Sequence, residues 1–362
     1  MNIFRMGFGA AGALAVGGFV AVLVGSGTVL SLLTQAVIYA VFAMGVGLLL
    51  RQNGMVSFGH ALFFGVAGYA MGIVLELDAM PAGLAIVLTL AGIALVAFVI
   101  GLVIVRVPGV AFSMLTLAIG QMAFLTASRA RGLTGGADGM NINWPQSLFG
   151  MPQSLLHQPA TLFMVCWSVL VLVMLAIAVL LRSRFGGVTE AVRDNEERAR
   201  FIGVRTLLPR AAIYALSAVV TGLAGVLSAL NTGFVSPESL HWSVSGAALM
   251  MVVVGGYKAL WGPALGAIVY FLFKDVLGDY ANHWMAIFGI ALITVIVFSP
   301  TGIAGVLGRV FKRTPRAASR LPPLSPSAGG GRTQRPGEAG SVGALASPVP
   351  IAPVLGGSKR NG

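Results

Sequence analysis

Charge is scarce in this chain. Of its 362 residues only 9% are Asp, Glu, Lys or Arg, against about 25% in a soluble globular domain. A water-facing surface cannot be assembled from so few charges, and the mean hydropathy of +0.91 points to lipid as the solvent. Cysteine is nearly absent. The single Cys166 lies within an apolar run, so neither an intrachain disulfide nor a cysteine metal site can form. The four histidines (His60, His157, His241 and His283) are scattered, with no pair at ligand spacing. No G-x-x-x-x-G-K-[ST] string occurs, so the chain has no phosphate loop of its own. Gly7-Phe8-Gly9-Ala10-Ala11-Gly12 matches G-x-G-x-x-G by accident, because no strand precedes it and it falls inside an apolar segment.

Hydrophobic residues make up 57% of the chain. In lipid, backbone donors and acceptors must find partners within the chain, which leaves helices or closed barrels. The apolar runs last roughly 20 residues and do not alternate, so they read as spanning helices. The expectation is an all-α integral membrane protein, a polytopic bundle of about ten transmembrane helices. The segments are Gly7–Val24, Val29–Leu50, Met55–Leu75, Ala82–Val105, Val110–Ala127, Ala160–Leu181, Ala211–Leu230, Ser243–Tyr257, Trp261–Leu277 and Trp284–Leu307. The eighth and ninth form one helix or two; Gly255-Gly256 and Gly262-Pro263 interrupt the run and favour two.

The net charge of +12 suggests nucleic acid only until the basic residues are placed. Most sit in short loops or near the C-terminus. With ten spans, Arg5, Arg51, Arg106, the Arg182–Arg210 loop, Lys258 and the basic stretch from Arg309 share one side, while Arg129, Arg131 and Lys274 fall opposite. The positive-inside rule then puts both termini in the cytoplasm, and a nine-span arrangement would strand Lys312, Arg313, Arg316 and Arg320 outside. The first apolar run resembles a signal peptide but lacks an A-x-A site, and it reads as a retained helix. Three regions follow: an extra helix at 1–28, a membrane-spanning helical domain at 29–311, and a Pro/Gly/Ser-rich stretch at 312–362 that cannot bury a core and should be a disordered cytoplasmic tail.

The polar island Arg182–Arg210 is long for a turn. Val188, Ala191, Val192, Asn195, Ala199 and Ile202 fall at helical spacing on one face. Asp194 with Arg198 and Glu196 with Arg200 are i,i+4 acid-before-base pairs, each worth about 0.2–0.5 kcal/mol on an exposed helix. Gly203 suits the C′ position. The pattern describes a solvated linker as well as a surface helix that docks a cytoplasmic partner.

Glu190-Ala191, then Arg193-Asp194-Asn195-Glu196-Glu197-Arg198-Ala199 and Ile202-Gly203-Val204, resemble the cytoplasmic coupling loop of ABC importer permeases, in the version of the branched-chain amino acid permease family (M-type). Other blocks are similar to that family in the same order: Asn53 to Ala61 with its G-x-x-S-x-G-H-A pattern, Phe112 to Ala118, Leu133 to Gly139, Ser217-Ala218 with Gly222 to Gly225, and Gly255-Gly256 with Trp261-Gly262-Pro263. Together they run from about Val29 to Leu307. Arg51-Gln52-Asn53 departs from a usually more apolar stretch, and Lys258 stands where small residues are commoner.

The resemblance implies an inner-membrane permease subunit for branched-chain or related amino acids. Its partners would be a second, related permease, two ATPases that bind the ATP, and an external substrate-binding protein. The chain itself would hold no cofactor or metal and would not be an enzyme. Glu190, Ala191, Arg193, Asp194, Glu196, Glu197, Arg198 and Gly203 would couple to the ATPases. Thr134, Gly135, Gly136 and Asp138 either dock the binding protein or form only a turn. Ser57, Gly59, His60, Thr116 and Gln121 either line a path or tie helices together. Gly65, Gly68 and Gly72 share a face of the third segment, where small residues allow helices to approach closely. A permease for urea, a short amide or a sugar remains open. An ion-coupled transporter would need ionisable groups inside the spans, and all eleven carboxylates fall in or beside loops or in the tail. An intramembrane enzyme would need paired catalytic residues there, and none is found.

Overall fold

The computed structural model describes residues 3–24, 26–77, 80–107, 109–144, 147–148, 150–278, 286–287, 289–290, 292–294 and 302–311. The chain divides into Met1–Arg313 and Thr314–Gly362. The second unit, and with it the expected tail at 312–362, lies outside the described residues.

The first nine apolar segments are found as helices: α1 (Ile3–Leu23), α2 (Gly27–Asn53), α3 (His60–Glu76), α4 (Ala82–Ile104), α5 (Val110–Arg129), α8 (Pro159–Arg182), α11 (Leu207–Thr232), α12 (Trp242–Gly255) and α13 (Gly262–Gly278). Between them lie the short helices α6 (Arg131–Thr134), α7 (Gln153–Leu156), α9 (Arg184–Asp194) and α10 (Glu196–Phe201), and α14 (Gly302–Phe311) closes the described chain. The middle of the tenth segment is only partly described. By length and apolarity α2, α4, α5, α8 and α11 can each cross a membrane, and α1, α3 and α12 contain shorter apolar helices.

Two helices form the spine. About 67% of the apolar window of α2 and 72% of that of α11 is buried inside the protein, against 22% for α4 and α5. Close approach of α2 and α11 needs a residue without a side chain. A Cβ at Gly45 would stand 2.6 Å from Thr221 Oγ1 and 2.9 Å from Ser217 O, and the Ser217 hydroxyl donates to Gly45 O at 2.7 Å. Around this pair, α8, α12 and α13 pack on α2, while α3 and α4 pack on α11. The outward faces of α4 and α5 stay apolar, with Leu95, Val99, Val103, Met114 and Met122 exposed. Apolar surface is stable there only against lipid.

Helices α12 and α13 are separate. The chain turns between them at Gly256 (φ +95°), and the pair touches backbone to backbone. A Cβ on Gly255 would strike Gly262 O, and one on Gly266 would strike Met251 O. The glycines that interrupt the run are therefore also the contact surface.

The glycine face of α3 meets loops as well as α11, which Gly68 faces at Ala229. Gly65 lies against Leu240, Gly68 against Val235, and Gly72 against Met140 and Ile142. These loops carry two small antiparallel pairs that helical periodicity could not foretell. β1 (Met140–Asn141) pairs with β4 (Phe234–Val235), and β2 (Ser147–Leu148) with β3 (Met151–Pro152). They give partners to backbone groups that leave a helix without solvent to satisfy them.

Candidate functional site

The Arg182–Arg210 island folds as two helices, not the single one its periodicity suggests. Asn195 breaks it in an extended conformation (φ −156°, ψ 100°), closing α9 and opening α10. Its side-chain oxygen accepts the Arg198 N–H at 2.8 Å, and Ser183 does the same for Gly186 at 3.1 Å at the start of α9. Asn and Ser favour such capping over a helix interior. The break moves Asp194 onto Arg193 (2.6 Å) in place of Arg198, while the expected Glu196–Arg200 pair forms at 2.5 Å. Gly203 closes α10 as expected. At φ +84° its N–H reaches Arg200 O (2.9 Å), and the Val204 N–H reaches Ala199 O (3.0 Å), the two bonds of a Schellman end.

One face of this helix pair is fastened to the bundle. Thr189 donates to Gln52 Oε1 (2.6 Å), and Arg193 Nη1 donates to Arg51 O (2.5 Å). A cation over the last carbonyls of α2 complements the helix dipole, worth about 0.3–1 kcal/mol. Arg51 in turn donates to Lys258 O (2.7 Å), and Asn53 to Arg210 O (3.0 Å). Glu196 accepts from Arg210 (2.5 Å) and Thr206 (3.0 Å) besides Arg200. Burial tends to raise the Glu196 carboxyl, but the Thr206 hydrogen bond and the Arg210 and Arg200 charges outweigh it and hold it below the usual range. The polar stretch 51–53, a departure from the resembled family, thus ties the end of α2 to three elements at once. Thr189, Thr206 and Arg210 were not singled out from the sequence. The one signal available was an Arg-Gln-Asn run ending an apolar helix.

The other face is open. Glu190, Ala191, Asp194, Glu197, Arg198 and Gly203 are exposed, whereas Arg193 and Glu196 belong to the fastened side. Val192 and Ala199 are buried as the periodicity implies, but Phe201 (90%) and Ile202 (74%) stand in the open beside Gly203.

The Ser57–His60 block is packed interior. His60 is fully buried, with Nδ1 2.8 Å from Ser57 Oγ and Nε2 2.7 Å from Ser217 Oγ. Because the Ser217 hydroxyl proton goes to Gly45 O, Nε2–H donates to Ser217 and Nδ1 accepts from Ser57. This chain of bonds joins α3, α11 and α2. Ser245 caps the Ala61 N–H at 2.8 Å, Thr116 takes the Phe58 N–H at 3.3 Å, and a Cβ on Gly59 would strike Thr116 O. Gln121 lies one turn further along α5, its Oε1 buried without a partner among the described residues. Ser57, Gly59, His60 and Thr116 make contacts that tie helices.

In the 134–139 loop Thr134 is buried and donates to Ala127 O (2.6 Å), and Gly136 is buried beneath Arg131. Gly135 (φ +74°) makes the turn, and Asp138 stands exposed at its tip. Among the described residues no three His, Cys, Asp or Glu side chains come together as a metal site would require.

Comparison with known proteins agrees with this architecture. The family described as "Branched-chain amino acid transport system / permease component" matches residues 28–297. The chain is 25% identical over 303 residues to the high-affinity branched-chain amino acid transport system permease protein LivM of Escherichia coli, covering 78% of this chain and 71% of that protein. It is 25% identical over 292 residues to the LivM of Salmonella typhimurium, covering 75% and 68%. The autoinducer 2 import system permease protein LsrC of Salmonella paratyphi B is 32% identical over 162 residues, 41% of this chain and 46% of that one. No solved structure matches. The matched region takes in the helical spine, the fastened α9–α10 pair and the buried His60 block, and the chain therefore belongs to the branched-chain amino acid ABC transporter permease family, as a multi-pass membrane protein that is not itself an enzyme.

Proposed function

We propose that this chain is one of two related permease subunits in a bacterial inner-membrane importer, working with two ATPases and an external binding protein to take up branched-chain or related amino acids. It has ten spans, both termini in the cytoplasm, and the α9–α10 pair on the cytoplasmic side. The Lys/Arg distribution supports that orientation.

The observation that carries the reading is the two-sidedness of α9–α10. A segment that transmits force must be fixed to what it moves and free toward what moves it. Its inner side is fixed by Thr189, Arg193 and Glu196. Its outer side presents Glu190, Glu197 and Arg198 around the exposed Phe201 and Ile202. Two apolar side chains rimmed by charge form the usual anatomy of a protein contact. ATP-driven closure of the partners would tilt α9–α10, and the path would alternate between outward- and inward-facing.

The test is reconstitution with the partner permease, ATPases and binding protein, followed by ATP-dependent uptake of labelled leucine, ribose and urea. Leucine uptake is expected, along with its loss in Glu190→Lys or Gly203→Pro. Wild-type rates in both variants would make the segment a mere linker. A second reading, import of another small solute, is favoured by the likeness to a permease named for autoinducer 2 import. Uptake of ribose or urea without leucine would select it.

A further inference from the structure

The Ser57–His60 block is packed interior, and a different part of the protein carries a cavity. Helices α2, α3 and α11 and the turn Pro237–Leu240 line an open cavity of about 290 Å³, near the lower end of the about 300–1,000 Å³ of small-molecule sites. Its lining has two characters. Tyr39 and Phe64, with ring centres 5.9 Å apart, form an aromatic wall. The same lining also carries the polar side chains of Gln35, one turn before Tyr39 on α2, and of Ser228, Thr232 and Glu238.

The polar side is not used up by the fold. Glu238 makes no ion pair among the described residues. Neither the Gln35 amide nor the Ser228 hydroxyl makes a hydrogen bond among them. Thr232, by contrast, is occupied with Ser228 O and Phe234 O. An unpaired carboxylate asks for a cation, a free amide and hydroxyl can meet an anionic oxygen, and the aromatic wall takes an aliphatic chain. A zwitterion with an apolar side chain matches all three. A dicarboxylate would face Glu238 with like charge, and a sugar would make no use of the charge that the water-exposed Glu238 offers.

The cavity also sits next to the loop expected to meet the binding protein. Its Val235 pairs with Met140 in the β1–β4 ladder, and a Cβ on Gly139 would strike Val235 O. A solute released beside Asp138 would therefore have this cavity one strand away.

Resting on the amino-acid reading given above, we infer that the cavity between α2, α3 and α11 is an entry site holding an aliphatic amino acid, with Glu238 on its ammonium group, Gln35 and Ser228 on its carboxylate, and Tyr39 and Phe64 on its side chain. The test uses the whole complex in proteoliposomes in a Cys166→Ser background. Wild-type leucine uptake is measured first. Ser228→Cys is then exposed to a small, impermeant methanethiosulfonate. Millimolar leucine should slow its modification several-fold, and ribose should not. Glu238→Gln, an exposed and nearly isosteric change, should remove that protection and lower leucine uptake by about 10- to 100-fold, the worth of one charged hydrogen bond. If wild-type uptake holds but leucine leaves the modification rate of Ser228→Cys unchanged, or Glu238→Gln imports leucine normally, the entry site is wrong and the importer reading stands. If the wild-type complex imports no leucine, both fall.

Discussion

At Glu196 burial and neighbouring charge act in opposite directions, and charge prevails, so the carboxyl titrates below its ordinary value. A depressed acid contributes stability that is complete above its unfolded pKa, about 4.3, and is lost as the pH falls through the folded one. Thermal unfolding of wild type and Glu196→Gln in detergent should differ by a constant amount above about pH 5, and the gap should close below about pH 4. A gap independent of pH would mean that Arg210 and Thr206 do not depend on the charge. Thr189→Val leaves Gln52 Oε1 buried without its donor and should cost about 1–3 kcal/mol, read as a lower midpoint in the same assay. Little of this was legible in advance. Glu196 and Arg200 could be paired from their spacing, but Gln52 and Thr189 lie 137 residues apart, and only the fold brings them together.

Among the elements, α9 and α10 show where periodicity reads well and where it stops. Val192 and Ala199 are buried as their spacing implies. Asn195 falls on the same periodic face, yet its capping bond ends one helix and starts the next; Val188, Ala191 and Ile202 of that face are exposed as well, with Phe201 beside them. Phe201→Asp with Ile202→Asp should leave the unfolding midpoint nearly unchanged, since exposed substitutions stay within about 0.5 kcal/mol each. It should abolish uptake and the co-purification of the ATPases; ATPases that still co-purify would remove this patch from the interface. Helices α12 and α13 were legible as two because their glycines break the run, but the sequence could not say that these glycines touch. Gly266→Ala forces a methyl group into Met251 O and should cost about 1–3 kcal/mol or more, measured as a lower midpoint or a loss of folded protein.

For the whole molecule, the apolar runs fixed the existence and order of the helices because lipid demands the same length from each. Which helices sit at the centre was not legible, since α4 is as apolar as any and yet has only 22% of its window buried. The Lys/Arg bias gives a further expectation: in intact cells, Asp194→Cys in a Cys166→Ser background should resist an impermeant thiol reagent, while Asp138→Cys should react. Labelling of Asp194→Cys from outside would invert the topology. Among the described helices α1 packs chiefly on α8, its Gly17 beneath Trp167, whose indole N–H donates to Ala13 O at 2.8 Å across 154 residues. Distance along the chain is also time on the ribosome. At about 5–20 residues per second, Ala13 is synthesised roughly 8–30 s before Trp167. Through that interval α1 is without its α8 partner, which suits a helix with Val16, Phe19, Val22 and Leu23 still facing outward in the finished protein; Trp167 later arrives at a partner already made.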